Sequence, residues 1–199
     1  MEGDIDDPDQ QGVIPRSAKS IFDALSSPEY TESNVKVSFL EIYNEDLCDL
    51  LQPDQTKLDI MVGKNGPFCR GLSSTTVESA DQVLELMRKA QDQRQVGETN
   101  MNKQSSRSHC IFTISVNAKR TLPGDNSVLE IAGKLHCVDL AGSECAKSAD
   151  LEKGNESQAA RERERKNINQ SLLTLGRVVS MLKEQSSSKK KQSVRIPYR

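Results

Sequence analysis

A chain of 199 residues that is 35% hydrophobic and 28% charged has the length and composition of one soluble globular domain. No apolar run approaches the roughly 20 residues that span a bilayer, and residues 1–7 are acidic where a signal peptide would be basic and then apolar. Five cysteines without a C-x-x-C pair argue against a disulfide framework and predict reduced thiols. We therefore expect a cytosolic protein without a membrane helix.

The formal net charge is only −2, but the basic residues are concentrated at one end of the chain. Residues 150–199 hold 12 Lys and Arg against 6 Asp and Glu, or +6, which leaves 15 against 23, or −8, for residues 1–149. A basic segment of this kind is typical of a solvated surface, of nucleic-acid binding or of binding to an acidic protein.

The first half of the chain predicts a helix, a strand and a group of short strands. Residues 1–11 are acidic and lack aromatic side chains, which predicts a disordered start. Apolar residues at helical spacing then predict a helix from Gly12 to about Ser26. Residues 35–43 alternate in the manner of a buried strand. Glycines, a proline and short apolar runs over residues 56–78 predict small strands at a sheet edge.

A second helix and a pair of strands follow. The helix is predicted from a cap at Ser79 or Asp81 to about Val96. Residues 110–116 and 129–140 are strand-like with a turn at 122–127 between them, so we expect an antiparallel pair. The outer ends of the two strands would then lie at the same end of the sheet, where both could meet one ligand.

The last third of the chain predicts a polar loop and then the most regular helix. Residues 145–166 are polar and charged, which is typical of a long loop. Beyond them, apolar residues spaced by four and three predict a helix over residues 167–184. Its apolar face is formed by Ile168, Leu172, Leu175, Val179 and Leu182. Residues 185–195 are predicted to be a basic loop.

Two short polar strings lie at the outer ends of the predicted strand pair. N-K-Q-S-S-R-S-H occupies residues 102–109, and D-L-A-G-S-E occupies residues 139–144. A nucleotide switch needs hydroxyl groups for Mg²⁺, an acid that holds the metal's water and a glycine whose N–H can approach a terminal phosphate. The strings contain all three. The same serines could also be turn hydroxyls, and the acid a strand-end cap.

Both strings resemble the switch I and switch II loops of the kinesin motor domain. Residues 37–51 resemble a signature strand and turn of that family, and residues 167–177 resemble the helix that follows switch II and lies on tubulin. Myosin has a related switch pattern, but Ser108-His109 and Ser143-Glu144 take the kinesin form. Within kinesins, residues 12–16 and 169–177 are closest to the bipolar mitotic class.

The resemblance covers residues 12–199 and implies a partial kinesin motor domain. The implied fold class is α/β, a kinesin-type P-loop NTPase fold with a mixed central sheet flanked by helices and incomplete at both ends. The implied ligands are ATP and Mg²⁺. By resemblance, the nucleotide would be contacted by Asn102, Ser105, Ser106 and Asp139, and Mg²⁺ by Ser106 and Asp139. The catalytic residues would be Arg107 and Glu144, which form a switch-to-switch ion pair, and Gly142, whose backbone N–H would sense the phosphate.

The resemblance also implies a partner for the basic end of the chain. In a kinesin this end would bind the acidic surface of the microtubule through Lys153, Arg161, Arg163, Arg165, Lys166, Lys189, Lys190 and Lys191. Neither nucleic acid nor a membrane is an expected partner, and oligomerisation is not encoded in this segment. The expected location is the cytoplasm and cytoskeleton, on microtubules, with the spindle as one candidate.

One element of such a nucleotide site is absent from the sequence. No window of the 199 residues matches the phosphate loop G-x-x-x-x-G-K-[ST]. Two hypotheses therefore stand: a segment of a microtubule motor that couples ATP hydrolysis to movement and is inactive alone, or a microtubule-binding module without ATPase activity. A switch GTPase is disfavoured because no N-K-x-D motif is evident.

The pairs His109-Cys110 and His136-Cys137 invite a metal-site interpretation. Neighbouring residues on a strand point to opposite faces of the sheet, so each pair would split its ligands between the faces. We expect these four to be core residues instead.

Overall fold

The computed structural model describes residues 1–52, 58–64, 66–97, 107–122, 127–143, 155–187 and 196. The chain divides into two compact units, Met1–Leu140 and Ala141–Arg199. The first unit holds α1 (Val13–Leu25), β1 (Tyr30–Tyr43), β2 (Asp46–Asp49), β3 (Asp59–Gly63), β4 (Gly66–Arg70), β5 (Thr75–Val77), α2 (Ala80–Gly97), β6 (His109–Thr121) and β7 (Val128–Asp139). The second unit holds α3 (Asn155–Ser187). No described helix is both long and apolar enough to cross a membrane.

The main sheet is built around β1 and β6. Its strand order is β2-β1-β6-β7, and β5 also pairs with β1. Every strand pair within the described residues runs antiparallel. The strands β3 and β4 form a separate two-stranded sheet, so the small strands expected over residues 56–78 are confirmed, but only β5 joins the main sheet.

One face of the main sheet carries the hydrophobic core. Alternate residues of β1 and β6 are buried there, and Phe39 lies opposite Phe112 with the ring centroids 5.2 Å apart in an edge-to-face arrangement. Two helices also contribute to the core: Ile14 and Ala18 from α1, and Val83, Met87 and Ala90 from α2. The helical spacing of these apolar residues places them on one stripe of each helix, which is why the sequence predicted both helices.

The start of α2 has the cap that the sequence predicted. The Ser79 hydroxyl accepts a hydrogen bond from the backbone N–H of Gln82 at 3.2 Å, and the Gln82 side chain accepts one from the N–H of Glu78 at 2.8 Å. These bonds satisfy N–H groups that a helix start leaves without partners.

Residues 1–11 differ from the disordered start that was predicted. Gly3 and Gln11 form a bridge, and Ile5 is buried in the core. The carboxylates of Asp4 and Asp7 each accept a backbone N–H two residues further on, at 3.0 Å. These aspartates form the turns of the segment, since Asp readily bonds to its own following backbone.

Three predicted boundaries are corrected by the structure. The strand β1 begins at Tyr30, not residue 35, because its ladder with β6 continues to Arg120 beyond the apolar alternation. Helix α3 begins at Asn155, so residues 155–166 are helical where a loop was predicted. Ala, Gln, Glu and Arg favour helices, and Glu162 pairs with Lys166 four residues on at 3.0 Å. The helix ends at Ser187, so it also includes residues 185–187 of the predicted basic loop.

Candidate functional site

The two switch-like strings adjoin one end of the sheet. The strand β6 begins at His109, the last residue of the first string, and β7 ends at Asp139, the first residue of the second. In the ladder Cys110 lies directly opposite Asp139. At the other end of the pair, the N–H of Leu122 donates to the carbonyl of Ser127 at 2.9 Å. The antiparallel pair predicted from the sequence is thus confirmed, and its outer ends are neighbours.

A cleft of about 270 Å³ opens at this end of the sheet. Its apolar lining includes Phe39, Phe112, Cys110 and Cys137, and its polar lining includes Arg94, Ser108 and Asp139. Residues 1–3 complete the wall. A concave site with an apolar floor and a few convergent polar groups has the form of a ligand site.

A buried ion pair supports the cleft from α2. Arg94 Nε lies 3.3 Å from Glu41 Oε1, with the side chains only 16% and 5% exposed. Neither of these two atoms has a hydrogen-bond partner within the described residues, so the contact is an ion pair without a hydrogen bond. Arg94 Nη2 also donates to the hydroxyl of Ser108 at 3.2 Å. The end of the first string is therefore tied to α2 and β1.

Sequence reasoning missed Arg94 and Glu41, although both left a signal. Glu41 follows Val35, Val37 and Phe39 on the buried face of β1, where an acidic side chain needs a charged partner. Arg94 comes four residues after Ala90 on the buried stripe of α2. Each of the two residues is a charged position in an otherwise apolar stripe, and the fold brings the two charges into contact.

Burial favours the uncharged forms of the thiol and imidazole side chains at this end of the sheet. Burial raises the pKa of the Cys110 thiol to about 11, so the thiol is protonated at neutral pH. Burial also lowers the pKa of the His109 imidazole. Within the described residues no three His, Cys, Asp or Glu side chains are grouped to hold a metal ion.

The core position expected for the two His-Cys pairs holds for the cysteines. Cys110 and Cys137 are buried, and His109 is half-buried. His136 is exposed, and its Nδ1 lies 2.9 Å from the hydroxyl of Thr113. The expectation was wrong for His136 because its side chain lies on the sheet face opposite the core.

Three of the predicted switch residues lie in the described part of the chain. The Asp139 side chain is 65% exposed at the end of β7, with its Oδ2 3.9 Å from the N-terminal amine. Arg107 is half-buried in the turn before β6, and Gly142 is exposed three positions after Asp139. Asn102, Ser105, Ser106 and Glu144 lie outside the described residues. Their contacts with Mg²⁺, nucleotide and Arg107 therefore stay predictions.

Four of the eight predicted microtubule-binding residues belong to α3, and the other four lie outside the described residues. Arg163 and Lys166 are exposed on α3, and Arg165 is half-buried. Lys153 and Lys189–Lys191, together with the side chain of Arg161, lie outside the described part. The apolar face predicted for this helix is only partly covered. Ile168 is buried and Leu172 is half-buried, whereas Leu175, Val179 and Leu182 are exposed.

Comparison with known proteins identifies the family. The kinesin motor domain model matches residues 1–199. The chain is 43% identical over 202 residues to kinesin-like protein KIN-5A of Arabidopsis thaliana, and the alignment covers 96% of this chain and 18% of that protein. It is 42% identical over 192 residues to kinesin-like protein Klp61F of Drosophila melanogaster, and that alignment covers 94% of this chain and 17% of Klp61F. These relatives confirm the expected resemblance to the bipolar mitotic class.

Structural comparison gives the same result. The solved structure of a fast kinesin superposes with a TM-score of 0.74 at 40% identity, over 95% of this chain and 51% of that one. The expected α/β fold class, a central sheet with flanking helices as in a kinesin motor, is thereby confirmed. The chain spans less than a fifth of the length of these two relatives. It belongs to the kinesin motor domain family.

Proposed function

We propose that this chain is a segment of an ATP-driven microtubule motor and that it supplies the switch side of the nucleotide site. The observation that carries the proposal is the pairing of β6 with β7, which places Cys110 opposite Asp139 and brings the ends of both switch strings together. One bound phosphate could then be sensed by both strings, as a switch that orders two segments requires.

The residues present fit ATP and Mg²⁺. Magnesium prefers oxygen ligands and keeps several waters, and the exposed Asp139 carboxylate at the mouth of the cleft can accept hydrogen bonds from such waters. The Ser106 hydroxyl would complete the metal contact, with Asn102 and Ser105 closing over the nucleotide. When bound, Mg²⁺ would neutralise charge on the phosphates.

The remaining switch residues would act on the terminal phosphate and the attacking water. Gly142 has no Cβ to block a phosphate, so its backbone N–H can act as donor. Arg107 and Glu144 would form an ion pair in only one nucleotide state. Such a pair adds little stability but can bias a two-state element and help to place the water.

The second candidate function is a microtubule-binding module without ATPase activity. The absence of G-x-x-x-x-G-K-[ST] from the 199 residues favours it. Both candidates predict that the chain by itself turns over no ATP, so they must be separated in a longer protein.

A chimera separates the two candidates. Joining the part of Arabidopsis KIN-5A that precedes the matched region to Met1 should restore microtubule-stimulated phosphate release, while the isolated chain stays at background. Asp139→Ala should lower turnover by the chimera about 100-fold or more, and Asp23→Ala, a matched change at an exposed site on α1, should not. A phosphate-release assay measures all four proteins.

Two results would contradict parts of this proposal. A folded chimera that binds microtubules yet shows only background turnover would favour the binding module. Turnover by the isolated chain that Asp139→Ala abolishes would show that another loop holds the phosphates.

We further propose that the basic end of the chain contacts the microtubule, which places the protein in the cytoplasm on the cytoskeleton. Arg163 and Lys166 are exposed on α3, and Lys189–Lys191 follow in the sequence. Positive charge accelerates association with an acidic surface, and salt screens the effect over about 8–10 Å.

Replacing Lys189, Lys190 and Lys191 with Ala should weaken co-sedimentation with microtubules, most strongly at low salt, because the association rate falls. The matched control replaces Lys19, Lys36 and Lys89 with Ala, which removes the same charge from exposed sites on other elements. Equal binding by the two triple variants at every salt concentration would place the contact elsewhere.

A further inference from the structure

The turn between β1 and β2 has an unusual backbone conformation. Tyr43 pairs with Asp46, so Asn44 and Glu45 form a two-residue turn, and their φ angles are positive, at 51° and 72°. Turns of this kind favour Asn followed by Gly, because glycine has no Cβ to oppose the left-handed region. Asn44 fits the first position, but Glu45 stands where glycine is favoured. A residue held in such a region is a reason to look for a function.

This turn lies at the switch end of the main sheet. Ile42, the residue before Tyr43, pairs with His109 in the ladder of β1 with β6. His109 is the last residue of the first switch string. Because the ladder is antiparallel, β1 continues from this pair in the direction of the residues that precede β6. The turn therefore lies beside the end of the first switch string.

The carboxylate of Glu45 acts on the last residue of that string. Burial lowers the pKa of the His109 imidazole, and the negative charge of Glu45 opposes this effect by raising it. A single charge has such an influence only at short range, so the exposed Glu45 side chain lies close to His109. Turn geometry and charge thus point to the same neighbour.

We propose that Glu45 is a positioning residue for the first switch string, in which its carboxylate holds His109 and fixes the start of β6. The inference rests on the motor function proposed above. Arg94 already ties Ser108 to α2, and Glu45 would hold the next residue. Arg107 lies directly before these two, so its placement depends on both contacts. Displacing a group by about 1 Å is enough to slow a reaction strongly.

The contact can be measured in the isolated chain, without nucleotide. The sequence contains two histidines, so NMR can follow each imidazole separately as the pH is changed. Glu45→Gln should lower the pKa of His109, because it removes the charge that raises it, and should leave the pKa of His136 on β7 unchanged. Asp46→Asn removes the next acidic side chain and should change neither. An unchanged His109 in Glu45→Gln would overturn the proposal.

Kinetics of the KIN-5A chimera test the role in the reaction. Glu45→Gln and Glu45→Gly should each lower kcat about tenfold and change KM for ATP by less than about twofold, because the switch acts after the nucleotide has bound. Glu45→Asp keeps a carboxylate and should recover part of the loss. The matched control is Asn44→Gly, which changes the neighbouring turn position, keeps Glu45 and should leave turnover near normal.

Unfolding in urea distinguishes positioning from a purely structural role. Glycine suits the backbone at position 45, so Glu45→Gly should unfold at a urea concentration no lower than that of the parent chain, although its turnover falls. Earlier unfolding of Glu45→Gly would make Glu45 a structural residue and overturn the proposal. So would normal turnover by the Glu45 variants of a chimera that Arg107→Ala inactivates, which would leave the motor function intact. A folded chimera without any turnover would contradict the motor function, and this role with it.

Discussion

Replacing Arg107 with Ala in the KIN-5A chimera is expected to lower microtubule-stimulated ATP turnover by about 10²–10³-fold, while attachment to microtubules persists. Arg107 lies in the turn just before β6, at the end of the sheet where Cys110 and Asp139 are paired. Its proposed partner, Glu144, lies five positions after Asp139. Loss of either charge would leave the switches unable to close together, whereas the basic residues on and beyond α3 would be unchanged.

The control for Arg107 lies on β6, the strand that follows it. Arg120, near the other end of β6, donates to the Glu29 carboxylate at 2.7 Å, so Arg120→Ala removes the same charge and an ion pair far from the switches. Turnover by this variant should stay near normal. If Arg107 and Glu144 act as one unit, the double alanine variant should lose no more than either single variant. Near-normal ATP turnover in both single variants would contradict the hypothesis that Arg107 and Glu144 form a functional ion pair.

The elements that the sequence predicted well are those whose pattern directly reflects burial. Helices α1 and α2 and strand β6 have apolar residues at the period of the element, so their existence followed from the sequence. The first twelve residues of α3 have no apolar stripe. Their helicity comes from propensity and from pairs such as Glu162 and Lys166, which a search for apolar periodicity does not detect.

The site was predictable only in part, for a physical reason. The switch strings could be recognised because their residue types suit phosphate and Mg²⁺, and the strand pattern placed their ends together. Arg94 and Glu41 are 53 positions apart in the sequence, and only the packing of α2 on the sheet joins them.

The largest effect on stability is expected at this buried pair. Glu41→Ala or Arg94→Ala should lower the free energy of unfolding by about 3–5 kcal/mol, because each leaves an uncompensated charge in the interior. The two side chains are almost fully covered and their atoms lie 3.3 Å apart. Ser108→Ala removes a hydrogen bond to Arg94 and a weak one to the Cys110 thiol and should cost about 1 kcal/mol. Urea unfolding followed by circular dichroism measures each difference.

Helix α2 itself provides the matched comparison. Glu85 and Lys89 form an ion pair at 2.8 Å on its exposed side, with both side chains more than 60% exposed. Exposed pairs of this kind contribute little because water already solvates both charges, so Glu85→Ala should leave the unfolding curve nearly unchanged. A Glu41→Ala variant that unfolds at the same urea concentration as Glu85→Ala would contradict the burial of the Arg94 charge.

A double substitution separates the cost of a lone buried charge from the value of the pair. Glu41→Leu/Arg94→Met replaces both charges with apolar side chains of similar size, and it should recover much of the stability that either single alanine variant loses. Recovery of stability without recovery of ATP turnover in the chimera would show that the pair is kept to hold Ser108 and the end of the first switch string in place. Stability no better than that of the single variants would instead mean that the pair itself stabilises the fold.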